Sequence, residues 1–448
     1  MKMKNISVIF LVVCLLICLV PSVGFLLYGP SQGGANERLA EAPVLKTPEG
    51  EWNTNYLFDL SEYFSDRFYL RQELITAHNS IAAGVFSSSA EDDVIYGDDD
   101  WLYYGPTLGD YTGTQTMSER EIHSAAINLT LMQEYAAGKG AKFLFMPAPN
   151  KNSLYADNMP DYGAVAAEHD AQRLFRLLDE KGVAYLDLFT HFKNESDVLY
   201  FAHDSHWNSR GAAYAADLIN SAFGSESEYY SDAFVESRPH AGDLYEMLYP
   251  TAVDSENDPV YGGELKIDYV GGGNIRPDSI TINTVGRGSE NMLIYRDSFG
   301  NLLYPYLADS SAAARFSRNV SYDLTLIESL GSRRLLIELV ERNLNYLISY
   351  YPMMPAPERA VNGGELSGKT VKFEKDDTAR APEGHVLVSG VIGDTMDDGT
   401  GIYILCGDRA FEAFCLADGK FAAYIPEDVQ VTGAAYFGGG FNMCPAEF

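Results

Sequence analysis

Ser298 stands in the run NMLIYRDSFGNLL, directly after an apolar stretch with strand character and just before a helical pattern begins. A serine at a strand end faces the crevice of an α/β sheet. Gly300 lets the backbone turn tightly there and expose amides to a developing oxyanion, and a helix N-terminus adds favourable potential. The same position also suits a helix cap, because Asp297 and Ser298 are both preferred cap types. Near neutral pH a hydroxyl needs a base before it can attack. The segment YFAHDSHWNSRGAAYAADLI supplies one: Asp204 and His206 are two residues apart, so in extended backbone their side chains share a face. The carboxylate can orient the imidazole while the imidazole takes the serine proton. Trp207 packs beside them. Two other readings apply to this segment. His203, Asp204 and His206 are zinc-ligand types, although they lack the HExxH spacing and a distant ligand set. His206 is otherwise a buried histidine bonded to Asp204.

The elements that must position these groups follow from periodicity. Helices are expected over 117–138, 164–181 and 211–223, alternating with short apolar strands at 142–147 (KFLFMP) and 183–188 (VAYLDL). Two more buried strands are expected at 291–295 and 334–339. The pattern implies a mainly parallel sheet flanked by helices on both faces, with ligand beyond the carboxyl ends of the strands. Upstream, 56–87 reads as an amphipathic helix or helix pair and 93–104 as a hairpin. Its Asp98, Asp99 and Asp100 read as a solvated turn rather than a calcium loop. Asp66 and Arg67 are expected to make a local ion pair or helix contact, and Glu338 and Arg342 to tie the last strand to its helix. From Tyr351 the run YPMMPAPERAVNGGEL has linker composition. HVLVSGVIG, TGIYILCG, AFEAFCLA and KFAAYIP then predict a small all-β, sandwich-like unit.

These readings divide the chain into an anchor or signal segment (1–28), a stalk (29–55), an α/β unit (56–352), a linker (353–366) and a β unit (367–448). Lys2 and Lys4 precede an apolar run from Ile6 to Leu27 that is long enough to span a bilayer, with everything after Tyr28 outside the cell. A cleaved signal peptide is the rival reading. With 63 acidic against 32 basic side chains, the net charge of -31 excludes nucleic acid as a partner. Cys406, Cys415 and Cys444 are odd in number beyond the anchor. A Cys406–Cys415 bridge and buried, unpaired strand positions are both open.

The motifs HDSHWNSRGAAY and RDSFG together resemble the DHHW proteins and the alginate O-acetyltransferase family, permuted relatives of SGNH hydrolases. NERLAEAP with YFSDRFYLR, VIYGDDDWLYYG, PAPNKNSLYADNMP and IELVERNLNYL agree in the same order, so the resemblance covers about residues 36 to 347. It implies an SGNH-like fold, with Ser298 as nucleophile, His206 as base and Asp204 as its orienting partner. Arg296 stands where many relatives have Gly, which narrows the oxyanion site, and Ser205 replaces the second His of DHHW. No Gly-x-Asn-Asp block is visible, so Asn150 and Lys151 are the substitute oxyanion or substrate contacts, with an ordinary polar loop as the alternative. The expected chemistry is acyl transfer through an acyl-serine, without cofactor or metal. The partners expected are a polysaccharide or glycan acceptor, the membrane through the N-terminal helix, and an acyl donor for which a membrane acyltransferase is one source. An SGNH-type esterase and a non-catalytic glycan-binding or structural envelope protein are the alternatives.

Overall fold

The computed structural model describes residues 2–447 except 34–36, 38, 49, 87, 88, 90, 233, 273, 274, 362–364, 367–369, 394 and 439. Part of NERLAEAP, the end of the expected linker and the first residues of the expected β unit therefore lie outside the described residues.

An N-terminal helix, Lys2–Tyr28, is followed by helices Tyr56–Arg67 and Arg71–Phe86. Asp66 and Arg67 do not pair with each other. They bind the two backbone groups of Ala40, at 2.7 and 3.1 Å, and so hold the stalk against the helix. The hairpin β1 (Val94–Tyr96) and β2 (Leu102–Tyr104) turns through Asp99 and Asp100, both at positive φ, a region that Asp tolerates better than most residues.

The central sheet contains β3 (Lys142–Ala148), with a separate hairpin of β4 (Phe234–Pro239) and β5 (Asn257–Tyr261) beside it. The remaining strands are β6 (Asp268–Tyr269), β7 (Thr281–Val285), β8 (Met292–Tyr295), β9 (Ala313–Ser317) and β10 (Arg334–Val340). The order is β3-β10-β8-β9-β7-β6, parallel from β3 to β9 and antiparallel beyond. Both faces are buried, which is why β8 reads as an unbroken apolar run and β10 as one interrupted only by Glu338 after its first residue. Phe143, Phe145, Leu293, Leu335 and Ile337 face the helices Glu119–Gly138 and Asp170–Lys181. Leu144, Met146, Ile294 and Leu336 face Ser209–Ala222 and Gly300–Asp309. Ser118 and Glu121 close a capping box that starts the first of these helices one residue after the serine. The expected strand at 183–188 shrinks to one bridging residue, Tyr185 beside Phe145. Asp187 caps a helix, Leu188–Lys193, by accepting from Thr190 N, and this ends the extended run.

Beyond the sheet, the chain forms the expected all-β unit: β11 (Glu358–Arg359), β12 (Glu365–Leu366), β13 (Val371–Asp376), β14 (His385–Val391), β15 (Ile402–Cys406), β16 (Arg409–Cys415), β17 (Lys420–Pro426), β18 (Gly433–Phe437) and β19 (Phe441–Glu447). Its sheet closes on itself rather than splitting into the two layers of a sandwich. From β13 to β19 the strands run β16-β15-β18-β19-β13-β14-β17, and β17 returns to β16 through Phe414 and Cys415. The long strand β16 pairs on both sides, which removes the free edge. Cys406 and Cys415 occupy buried strand positions and are unpaired, as is Cys444. The barrel interior and the α/β core are continuous, Phe414 and Ile404 clustering with Ile122, Ala125 and Leu129. Asn128, fully buried, fastens the junction by donating to Leu347 O and Cys415 O and accepting from Cys415 N.

Candidate active site

β8 delivers Ser298 to the carboxyl edge of the parallel strands, and the turn that carries it is tied down by Asp297. That carboxylate accepts from Phe299 N, Val340 N and Asn343 Nδ2 at 2.9, 2.7 and 3.0 Å. Asp297 N in turn donates to Glu338 Oε2 at 3.0 Å. Glu338 is fully buried, and burial followed by the charge of Asp297 raises its pKa well above the ordinary range. It thus ties β10 to the serine turn rather than to a helix of its own.

The Asp-x-His segment lies across the crevice. His206 Nε2 is 2.8 Å from Ser298 Oγ, and His206 Nδ1 is 2.6 Å from Asp204 Oδ1. His206 N also donates to Asp204 Oδ1, so carboxylate and imidazole are locked within one short loop. Trp207 is buried and donates to Phe299 O at 3.1 Å, which ties the histidine segment to the serine turn. Asn208 caps the following helix through Arg210 N and Gly211 N. Gly211 is required there, because a Cβ would come 2.3 Å from Leu199 O.

Two groups that sequence reading missed complete the arrangement. His240 Nε2 is 2.9 Å from Asp204 Oδ2, its ring stacked on Phe201 at 3.8 Å. Asp243 accepts from Ser205 N and Ser205 Oγ and lies 3.5 Å from His206 Nδ1. Burial pulls the His206 pKa down, but the charge and hydrogen bond of Asp204 outweigh it and the net shift is upward. Burial likewise pushes Asp204 up, yet the two histidines hold it well below the carboxylate range. Asp204 is therefore the anionic centre of the group.

The remaining sequence candidates are placed differently from expectation. Arg296 is buried, and its guanidinium donates to Asp297 O, Pro277 O and Asn301 Oδ1, so it braces the loops behind the serine instead of facing an oxyanion. Burial lowers its pKa to about 10. Gly300 is explained by that side chain, since a Cβ would meet Arg296 Cδ at 2.3 Å. The Phe299 amide is already committed to Asp297. Lys151 Nζ donates to Phe201 O, Ala202 O and Asp204 O at 3.1, 2.9 and 2.6 Å and carries the Asp-x-His loop from below. Asn150 is 1% exposed, and neither atom of its side-chain amide finds a partner among the described residues. His203 is drawn away from the other two residues of the expected zinc set, to Asp254 at 2.7 Å and Asp100 at 3.2 Å, while His206 points to Asp204 and Ser298. Asp100 is thus more than a solvated turn residue. Arg342 lies 5.5 Å over the Phe299 ring and 5.2 Å over that of Tyr104, at the rim of the site. A cavity of about 520 Å³ beside Tyr229 and Arg287 contains none of these groups.

The Ser298 hydroxyl, the His206 imidazole and the Asp204 carboxylate thus meet at the carboxyl edge of a helix-flanked parallel sheet. Residues 94–264 match the family model described as the SGNH hydrolase-like domain of the acetyltransferase AlgX, a stretch that includes Asp204 and His206 and ends before Ser298. The chain is also similar to the solved structures of PatB1 from Bacillus cereus (17% identity, 57% of this chain and 97% of that one, TM-score 0.42) and of a DHHW family protein from Eubacterium siraeum (15%, 58% and 99%, TM-score 0.42). AlgX from Pseudomonas aeruginosa is similar at 12% identity over 82% of this chain and 93% of that one, with TM-score 0.37. No curated protein matches the sequence.

Proposed function

We propose that this protein is a serine acyltransferase that O-acetylates a polysaccharide outside the cytoplasm. The observation that carries the reading is the hydrogen-bonded series Ser298 Oγ, His206 and Asp204, with separations of 2.8 and 2.6 Å, set beside a segment of the AlgX acetyltransferase type. Ser298 Oγ attacks the donor's acyl carbonyl as His206 Nε2 takes its proton, and Asp204 stabilises the imidazolium. The leaving group departs with that proton, which leaves an acyl-Ser298 ester. A sugar hydroxyl then attacks the ester, gives its proton to His206, and is released acylated as Ser298 regains the proton. Asn150, with an unpaired buried amide, is the side chain we assign to steady the oxyanion in both steps. The helix Lys2–Tyr28, whose span Val8–Tyr28 has mean hydropathy 2.9, supports tethering in a membrane, where a membrane acyltransferase is one source of the acyl donor.

The test uses protein lacking residues 1–35, an activated acetyl ester and a panel of oligosaccharides. Mass spectrometry is expected to show sugars gaining acetyl groups faster than free acetate appears. Ser298→Ala should remove both products by several orders of magnitude while leaving the melting curve in place. Free acetate with an unmodified panel would replace the transferase by an esterase. Undiminished turnover in Ser298→Ala would remove the nucleophile.

A further inference from the structure

A second group of polar side chains converges apart from Ser298, on a cavity of about 340 Å³ lined in part by Thr107, Asp110, Asp170, Glu341 and Arg342. Asp110 comes from the short helix Leu108–Thr112, His169 from the residue ahead of Asp170–Lys181, and Glu341 from the turn that follows β10. One donor atom from each lies within 4.8 Å of the other two. His169 Nδ1 and Asp110 Oδ2 are 3.3 Å apart, an ion pair by distance that is out of line for a hydrogen bond. Both atoms and Glu341 Oε1 are buried and find no hydrogen-bond partner among the described residues. Glu341 is only 3% exposed, and its other oxygen is fully used by Asn150 N and Ser153 Oγ at 2.8 and 2.6 Å. Asn152, 2% exposed, donates to Thr107 Oγ1 and leaves its own Oδ1 unpartnered.

Glu341 Oε1 and Asp110 Oδ2 are acceptors with no donor in line, and His169 Nδ1 donates or accepts according to its tautomer, so the group is costly where water is lost and no bond is gained. A proton on His169 Nδ1, which Asp110 favours, pairs those two groups and leaves the buried Glu341 Oε1 alone. A cation satisfies all three. Ligands about 2.0–2.1 Å from a tetrahedral metal stand about 3.3 Å from one another, which is the separation of His169 Nδ1 and Asp110 Oδ2. One imidazole with two carboxylates suits zinc-type ions, whereas calcium takes six to eight oxygens.

We propose that Asp110 Oδ2, His169 Nδ1 and Glu341 Oε1 bind one divalent transition-metal ion, zinc in the first instance, with a further position open to the cavity. The ion ties together three segments distant in sequence. Through Glu341 it holds the Asn150 amide and the turn bearing Arg342, so it acts as a structural clip beside the crevice. The proposal is independent of the acyl-transfer reading.

The test takes the full chain in detergent, without a polyhistidine tag, strips it with EDTA and titrates it with zinc chloride. After gel filtration, elemental analysis should find about one zinc per chain, and zinc should raise the melting temperature of the stripped protein. His169→Gln and Asp110→Asn, at half-buried positions and checked for native circular dichroism, should weaken binding at least about 100-fold. X-ray absorption of the zinc-loaded wild type should show a single imidazole nitrogen among oxygen ligands, a result that does not depend on any variant folding. Three results would overturn the proposal: no zinc retained by the wild type at micromolar zinc, zinc retained by both folded variants, or a spectrum with two or more imidazoles or with sulfur.

Discussion

At the scale of single residues, the base role proposed for His206 and the surroundings of its ring pull in opposite directions. As a base it must be neutral, yet Asp204 favours its charged form and raises its pKa despite burial. Acylation should therefore rise with pH through a midpoint above the ordinary histidine value of about 6.5, and pre-steady-state ester release between about pH 5 and 9 would show it. Asp204→Asn removes the stabilising charge, so the midpoint should move down while the rate falls by about 10⁴. A midpoint that stays put in that variant would separate the carboxylate from the base. The same sign governs stability. The protonated histidines around Asp204 stabilise the folded chain below the unfolded histidine pKa, and that contribution is lost as pH rises through the raised folded value. Ser298, His206 and Asp204 were legible because a strand-end serine and an i, i+2 pair are local patterns. His240 and Asp243 were not, for they stand just after β4 and at the start of the helix Asp243–Leu248, and meet Asp204 only after the chain has crossed the crevice.

Elements explain why those residues hold their places. The Asp-x-His segment is not a strand, so no ladder fixes it. Its carbonyls are gathered instead by Lys151 at the start of the Lys151–Leu154 helix. Burial lowers the lysine pKa to about 8, against the pull of Asp204, Asp243 and Glu256, and its three protons match three acceptors. Lys151→Met keeps the length of the stem but strands those carbonyls, at a cost of about 3 kcal/mol in denaturant unfolding. Turnover should fall at least about 100-fold as the imidazole loses its alignment. Retained activity with unchanged stability would show that the loop is held by its other contacts. β10 plays the matching part for the serine, with Glu338 and the Val340 amide holding Asp297 from two sides. The sequence showed β10 as an apolar run, and its embedded glutamate became intelligible only with β8 alongside. The lost strand at 183–188 has the opposite lesson: Asp187 outweighed the apolar pattern because a cap satisfies helix amides that an edge strand leaves open.

At the scale of the molecule, the barrel belongs to the same hydrophobic body as the sheet. Ile404, Phe414 and Phe421 cluster with Ala125 and Leu129, and Arg120 donates to the carbonyls of Asp397, Asp398 and Thr400. We therefore propose the boundary near 352 as a change of architecture rather than a hinge. A chain ending at residue 352 would expose that junction and the buried Asn128, so it should melt at least about 5 °C lower or aggregate on purification. An undiminished melting temperature would mean that the two parts fold independently. By itself, the sequence determined the alternation of helix and strand, the Asp204–His206 pairing, the all-β character of the last segment and the apolar N-terminal helix. Each of these is written in periodicity or short spacing within a few turns of chain. Only the tertiary structure decided that Arg296 and Lys151 brace loops, that a second histidine shares Asp204, that β16 closes a barrel, and that Asp110, His169 and Glu341 meet. Those outcomes depend on contacts between segments tens to hundreds of residues apart, where hydrogen-bond satisfaction and burial are settled by which elements lie side by side.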